Sequence, residues 1–288
     1  YGSYGINTTA GGGDYIEDNQ LDPVFYVSYT MSSGFNAWAT STAYSLNDVV
    51  SVNGGLFGVA VAGTSASSGT GPAITAFNTQ ITDGTVKWLF LGASNSTGIL
   101  VNGTSNSNFI CSNDISGPWA GGLKISGSDG NIVEGNTIGQ IIGTCIDLGS
   151  TATNTLVAGN VISGAYGALS AAIEDGNGSA TGSRIMNNHI NGSGWHAIIV
   201  QSSHFSVECN TIIDYGDLTS TSYAIAVIAG TTKFNIIGNT IIPNSLAAGT
   251  INVASGASDY YNIIGNLVEG TAVADSGTGT HKTLTGNN

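Results

Sequence analysis

Charge is scarce in this chain. Asp, Glu, Lys and Arg make up 8% of its 288 residues, and five basic against eighteen acidic side chains leave a formal net charge of −13. So few cations cannot neutralise a phosphate backbone or an anionic bilayer, which argues against nucleic acid and membrane surfaces as partners. Three cysteines, Cys111, Cys145 and Cys209, are too few and odd in number for a disulfide framework. None stands at metal-ligand spacing, and they read as small buried or half-buried hydrophobes. No run approaches the roughly 18 apolar residues of a membrane span, so no insertion is expected. The first residues lack the basic and apolar regions of a signal peptide, and the opening Tyr1 suggests a start within a longer protein. What the chain does have is glycine, 43 residues, and a hydrophobic content of 41%. That excludes disorder and leaves Ser, Thr, Asn and Gly to cover the surface.

One phrase recurs: Asn131-Ile-Val-Glu-Gly-Asn136-Thr-Ile138, Asn154 to Ile162, Phe234 to Ile241, Tyr261 to Val268. With looser copies included, anchoring asparagines fall at Asn113, Asn136, Asn160, Asn188, Asn210, Asn239 and Asn266, 22 to 29 residues apart. Three residues before each stands Ile110, Val133, Val157, Ile185, Val207, Ile236 or Ile263, and two after it another β-branched aliphatic, from Ile115 to Val268. Position −1 is small or polar in every copy. A further aliphatic precedes each anchor by twelve to fifteen residues: Ile99, Leu123, Ile146, Ile173, Ile198, Ile225, Ile251. Alternation over short runs without a 3.6-residue period points to strands.

A single such unit cannot offset its ordering entropy. Three aliphatics at roughly 1.5–3 kcal/mol each fall short of about 1–2 kcal/mol per ordered residue. Stacked in register, the units form aliphatic ladders and let each asparagine amide bond its neighbours. The pattern resembles the right-handed parallel β-helix of the pectate lyases and phage tailspikes, over about two thirds of the chain. The expected fold is therefore all-β: a right-handed parallel β-helix of about seven coils over 93–288, preceded by an entry segment over 1–35. In that entry segment Ile16-Glu-Asp-Asn19 reads as polar and Pro23 to Tyr29 as a possible strand.

Between them, residues 36–92 carry Trp38, Ala43-Tyr44, Asp48-Val-Val50, Asn53-Gly54, Asp83-Gly-Thr-Val86 and Trp88 in order, short strands broken by hairpin turns. This segment resembles the small chitin-binding-type carbohydrate modules. The resemblance implies that Trp38, Tyr44 and Trp88 stack on sugar; the competing reading makes them the module's core, since a domain so small must bury its aromatics.

In a stacked coil the residue after each early aliphatic faces outward: Leu100, Lys124, Asp147, Glu174, Ile199, Ala226, Asn252. Lys124, Asp147 and Glu174 fall on consecutive coils. Two carboxylates about one strand spacing apart suit a retaining glycoside hydrolase, with Asp147 as nucleophile, Glu174 as acid/base, Asp175 beside it, and Lys124 holding one carboxylate ionised. The alternative is a plain acidic or sugar-hydrogen-bonding face. A second cluster comprises Trp195, His196, His204, Asp214, Tyr215, Asp217 and Tyr223. Trp195 and Tyr215 suit a sugar platform, and a lyase would use His or Tyr as base, with Arg184 and Lys233 as the nearby cations. Asp214 to Asp217 could offer a faint Ca²⁺ site. No other metal or cofactor is indicated.

The family resemblance implies an extracellular, virion-tail spike or fibre protein, a homotrimer, that binds and depolymerises a bacterial surface polysaccharide. A non-catalytic glycan-binding or structural fibre segment and a secreted bacterial polysaccharide lyase or hydrolase stand as alternatives.

Overall fold

The computed structural model describes residues 4–8, 13–21, 36–73, 79–94, 96–103, 106–117, 119–165, 170–176, 181–216, 220–270 and 273–288. The possible strand from Pro23 to Tyr29 lies outside the described residues, as does Asp217.

Three long parallel sheets run side by side, each taking one strand from every coil. The first holds nine strands from Tyr4–Thr8 to Ala274–Gly277, the second nine from Tyr15–Glu17 to Lys282–Thr285, the third eight from Gln20–Leu21 to Leu267–Val268. Among the described residues there is no helix. The chain is a parallel β-solenoid, and its register follows the sequence repeat. Residues at −3 from each anchor pair with one another on the second sheet, those at +2 on the third, and the early aliphatics on the first. All of these inward aliphatics are buried except Val268, which is half-buried at the last turn of the third sheet.

The asparagines sit at the corner between the second and third sheets. From Asn113 to Asn239 each Nδ2 donates to Oδ1 of the next anchor at 2.9 Å. The same Oδ1 takes the preceding anchor's backbone N–H, as Asn160 does from Asn136 at 2.9 Å. The second Nδ2 proton reaches a backbone carbonyl one coil back, Val133 in the case of Asn160 at 3.0 Å. Each amide is thus satisfied inside an apolar core, where an unmet group would cost about 1–3 kcal/mol.

The ladder extends one rung further at each end than the repeat indicates, to Asn19 and Asn287. This corrects the reading of Ile16-Glu-Asp-Asn19 as merely polar entry. Ile16 is a buried −3 residue, Leu21 a +2 residue, and Tyr4–Thr8, Tyr15–Glu17 and Gln20–Leu21 form a coil that pairs with the one at Asn113. Its period was hidden because 73 numbered positions, 22–94, intervene before that next coil resumes.

The −1 position explains itself in backbone terms. Asp18, Ser112, Gly135, Gly159, Asn187, Cys209, Gly238, Gly265 and Gly286 all have φ between 54° and 65°. That left-handed region favours Gly and short polar side chains. Cys209 is consequently an exposed corner residue, which departs from the buried reading, while Cys145 is fully buried and Cys111 half-buried.

Residues 36–73 and 79–94 form a five-stranded sheet beside the first coils. Its Asn53-Gly54 turn has φ of 50° and 76°, the paired positive values of a type I′ hairpin. One face buries Val50, Phe57, Val59, Val86, Trp88 and Phe90; the other lays Val49, Leu56, Leu89 and Leu91 against Ile142 of the solenoid. The insertion is therefore joined to the solenoid by an apolar contact as well as by the chain.

Candidate functional site

The first sheet carries the row read from the sequence. Leu100, Lys124, Asp147, Glu174, Ile199, Ala226 and Asn252 are successive partners along the ladder. The row is not uniformly open, however. Leu100, Ile199 and Ala226 are covered, at 7%, 1% and 3% exposure. Aliphatic side chains gain by leaving water even on an outer face. Lys124, Asp147 and Glu174 thus make a polar interval between two buried apolar ones.

Lys124 Nζ lies 2.6 Å from Asp147 Oδ2. Asp147 Oδ1 has no protein partner among the described residues and faces a groove of about 430 Å³, lined also by Ser94, Ser96, Leu100, Lys124 and Thr144. Ser94 and Ser96 join the insertion to the first sheet, so the insertion borders the groove. Glu174 stands one coil beyond the groove's end. Its Oε1 accepts from Gln201 Nε2 at 3.0 Å and its Oε2 from Thr144 Oγ1 at 3.4 Å. Burial raises its pKa above the ordinary carboxylate range, and the nearby Asp147 charge raises it further. Consecutive parallel strands lie about 4.8 Å apart, which sets the scale of the separation between the two carboxyl groups.

Asp175 does not belong to that face. Strand alternation turns it inward, into the row of Leu148 and Val200, and it is fully buried. Its Oδ2 accepts from Ser202 N at 2.9 Å, from Gln201 N at 3.3 Å and from the Ser202 hydroxyl; Oδ1 has no partner. Desolvation pushes its pKa up to about 6. A role for Asp175 in direct contact with substrate is therefore corrected.

The second cluster divides. Trp195 is half-buried and its ring lies 4.0 Å from that of His196, which in turn stacks at 5.8 Å on half-buried Tyr223. His196 is buried, and its Nδ1 accepts the Tyr223 backbone N–H at 2.9 Å, which leaves the proton on Nε2. Burial depresses its pKa to about 4. With its free lone pair already used, His196 is a packed, neutral ring and not an available base. Tyr215 is fully buried and donates to Gly249 O at 2.8 Å, so it offers no platform. His204 is an exposed corner residue, and Arg184 pairs with Glu208 at 3.1 Å, away from this cluster. Among the described residues no group of three or more His, Cys, Asp or Glu could hold a metal ion.

In the insertion, Trp88 is fully buried and presents no face to a sugar. Asp83 Oδ2 accepts from both Trp38 Nε1 at 2.8 Å and Trp88 Nε1 at 3.3 Å. Half-buried Tyr44 packs edge-on against Trp88 at 4.8 Å, and its hydroxyl accepts from Ala39 N at 2.8 Å. Trp88 belongs to the core of this sheet, and half-buried Trp38 and Tyr44 pack against that core.

Thr144 and Gln201 escaped the sequence reading. Thr144 stands two residues before Ile146, so extending the register would have found it. Gln201 comes from a turn after its strand, where no alternation applies.

The chain is a parallel β-solenoid with Asp147 lining a groove and Glu174 one coil beyond it on the same sheet. No protein-family model matches the chain, and no curated protein matches it. Among solved structures, a glycoside hydrolase aligns with a TM-score of 0.45 at 12% identity, covering 70% of this chain and 39% of that one. The chain thus spans well under half of that structure, and a likeness at this level carries no argument about chemistry.

Proposed function

We propose that the chain is a polysaccharide-cleaving protein acting by retention, with Asp147 as nucleophile and Glu174 as acid/base. The observation that carries this reading is the contrast between two neighbouring carboxyl groups: Asp147 is ion-paired with Lys124, whereas Glu174 is desolvated beside it. A desolvated carboxyl group beside an ion-paired one is an arrangement in which acid and nucleophile roles can be divided. Asp147 Oδ1 attacks the anomeric carbon while Glu174 protonates the departing glycosidic oxygen. Glu174, now ionised, then takes a proton from the water that releases the glycosyl group. The Thr144 hydroxyl, a donor to ionised Glu174, accepts from its protonated form. A separation of about 5 Å between the groups fits the roughly 5–5.5 Å of retaining enzymes.

The substrate class we assign is a bacterial surface polysaccharide, neutral or of mixed charge, because a chain of net charge −13 repels a strongly anionic one. The setting we assign is an extracellular phage-tail-type spike of three chains, in which three grooves would add avidity. Light scattering that returned a monomer would sink the trimer. The activity is tested by following reducing ends and oligomer masses released from capsule or lipopolysaccharide. Asp147→Asn and Glu174→Gln are each expected to abolish release while binding persists; full activity in both variants overturns the assignment.

One observation favours a second reading, a glycan-binding arm without cleavage. The half-buried rings of Trp195 and Tyr223 pack on either side of buried His196, and partly open aromatic faces of this kind can hold sugar without chemistry. Tight binding to a glycan that the wild-type chain leaves uncut would select it.

A further inference from the structure

A carboxyl group in the core of a solenoid is an anomaly that the fold does not require. Asp175 pairs with Leu148 on one side, and the Glu174–Ile199 pairing, carried one residue on, sets it level with Val200 on the other; both neighbours are buried and apolar. A valine or leucine would fill the site without desolvating a charge, but it would leave unmet the donors that Asp175 accepts from. What Asp175 does supply is a fixed acceptor for the turn that follows the next strand. Its Oδ2 gathers the backbone N–H groups of Gln201 and Ser202 and the Ser202 hydroxyl. That turn ends in the Gln201 side chain, whose Nε2 donates to Glu174 Oε1 at 3.0 Å. Glu174 and Asp175 are consecutive, so one strand presents a carboxyl outward and, by the next residue, locks the group that holds it.

We propose that Asp175 is a positioning residue of the groove, anchoring the Gln201 turn so that the Gln201 carboxamide sets the orientation and protonation of Glu174. The role assigned to Glu174 rests on the proposed function; the coupling from Asp175 to Glu174 does not. Asp175 touches no substrate in this scheme and acts through Gln201 alone.

The test is carboxyl-carbon NMR titration of Glu174 in the full chain, alongside thermal unfolding. Gln201→Ala removes a hydrogen bond to the ionised form, and the Glu174 midpoint is expected to rise by roughly half a unit to one unit. Asp175→Val leaves the Gln201 and Ser202 N–H groups without their acceptor and is expected to lower the melting temperature; because it also removes a like charge beside Glu174, its Glu174 midpoint is compared with that of Asp175→Asn, above which it should lie by a similar amount. Asp175→Asn removes the same charge but keeps an acceptor oxygen for the turn, so its Glu174 midpoint is the reference against which Asp175→Val is read. A Glu174 midpoint that is the same in Asp175→Val as in Asp175→Asn while moving in Gln201→Ala overturns the proposal, as does no movement in Gln201→Ala. Should Asp175→Val fail to fold, Ser202→Ala with Asp175→Asn decides the same question: Ser202→Ala loosens the turn and is expected to raise the midpoint, and no rise overturns the proposal. Failure to cut any glycan would defeat the proposed function and leave the titration result standing.

Discussion

Asn160 Nδ2 donates to Asn188 Oδ1 at 2.9 Å, while Asn160 Oδ1 accepts from Asn136 Nδ2 at 2.9 Å. A rung in the middle of the ladder therefore serves as donor on one side and acceptor on the other. Asn160→Ala would leave the buried Asn136 backbone N–H and one of its Nδ2 protons without their acceptor, and Asn188 Oδ1 would keep only the backbone N–H of residue 160. The expected loss is about 2–4 kcal/mol in urea unfolding, since each unmet buried group costs about 1–3 kcal/mol. Asn160→Asp should be at least as harmful near neutral pH, because a carboxylate cannot donate to Asn188 Oδ1. A loss under about 1 kcal/mol in both would show that the ladder is incidental to stability.

The corner before each anchor gives a prediction of opposite sign at two positions. Cys209 has φ of 54°, and Gly159, in the same place two turns of the pattern earlier, has φ of 61° with open space where a Cβ would be. Backbone strain is the term that differs. Cys209→Gly is expected to stabilise the chain by about 0.5–1 kcal/mol, and Gly159→Val to destabilise it by about 1–2 kcal/mol. Chemical denaturation of the two variants checks both signs.

The success of the repeat and the difficulty of the site have one physical origin. Stacking forces inward positions to repeat, so the ladder from Asn113 to Asn266, its aliphatics, and the alignment of Lys124 with Asp147 and Glu174 were legible. Asn19 was not, because the insertion breaks the period although Ile16 and Leu21 keep the pattern. Asp175 was misread for want of one step: if Glu174 faces out, alternation turns its neighbour inward. Residue type suggests Tyr215 as a sugar platform and the module resemblance suggests Trp88, and neither signal reports burial, which is complete for both. Gln201 lies in a turn whose geometry depends on a hydrogen bond, and no spacing announces it.

Burial separates the tryptophans into structural and surface groups. Trp88→Ala removes a fully buried ring from a small core and should cost about 3–5 kcal/mol, read as loss of the insertion's cooperative unfolding. Trp195 is half-buried and packs on His196. Trp195→Ala is expected to lose glycan affinity several-fold with a much smaller change in unfolding. If Trp88→Ala abolishes binding while leaving stability intact, the insertion is a sugar-binding hand after all.

Two buried groups near the groove should oppose one another in pH dependence. Asp175 is raised from 3.8 to about 6 by burial, so the folded state holds its proton where the unfolded state has lost it. Its contribution is fully present below about pH 4 and is lost as pH rises through about 6, on the order of 3 kcal/mol. His196 is lowered from 6.5 to about 4, so it resists protonation when folded. Its contribution is present above about pH 6.5 and is lost as pH falls through about 4, again on the order of 3 kcal/mol. Over pH 4 to 6 the two slopes have opposite signs and nearly offset. Urea unfolding across that range should therefore show little contribution from either in the wild type. Asp175→Asn should uncover a stability that rises with pH, and His196→Asn one that falls with pH, the double variant being level again. Parallel slopes in the two single variants would mean that the charges are not buried as the structure has them, and with that the anchoring role of Asp175 would go too.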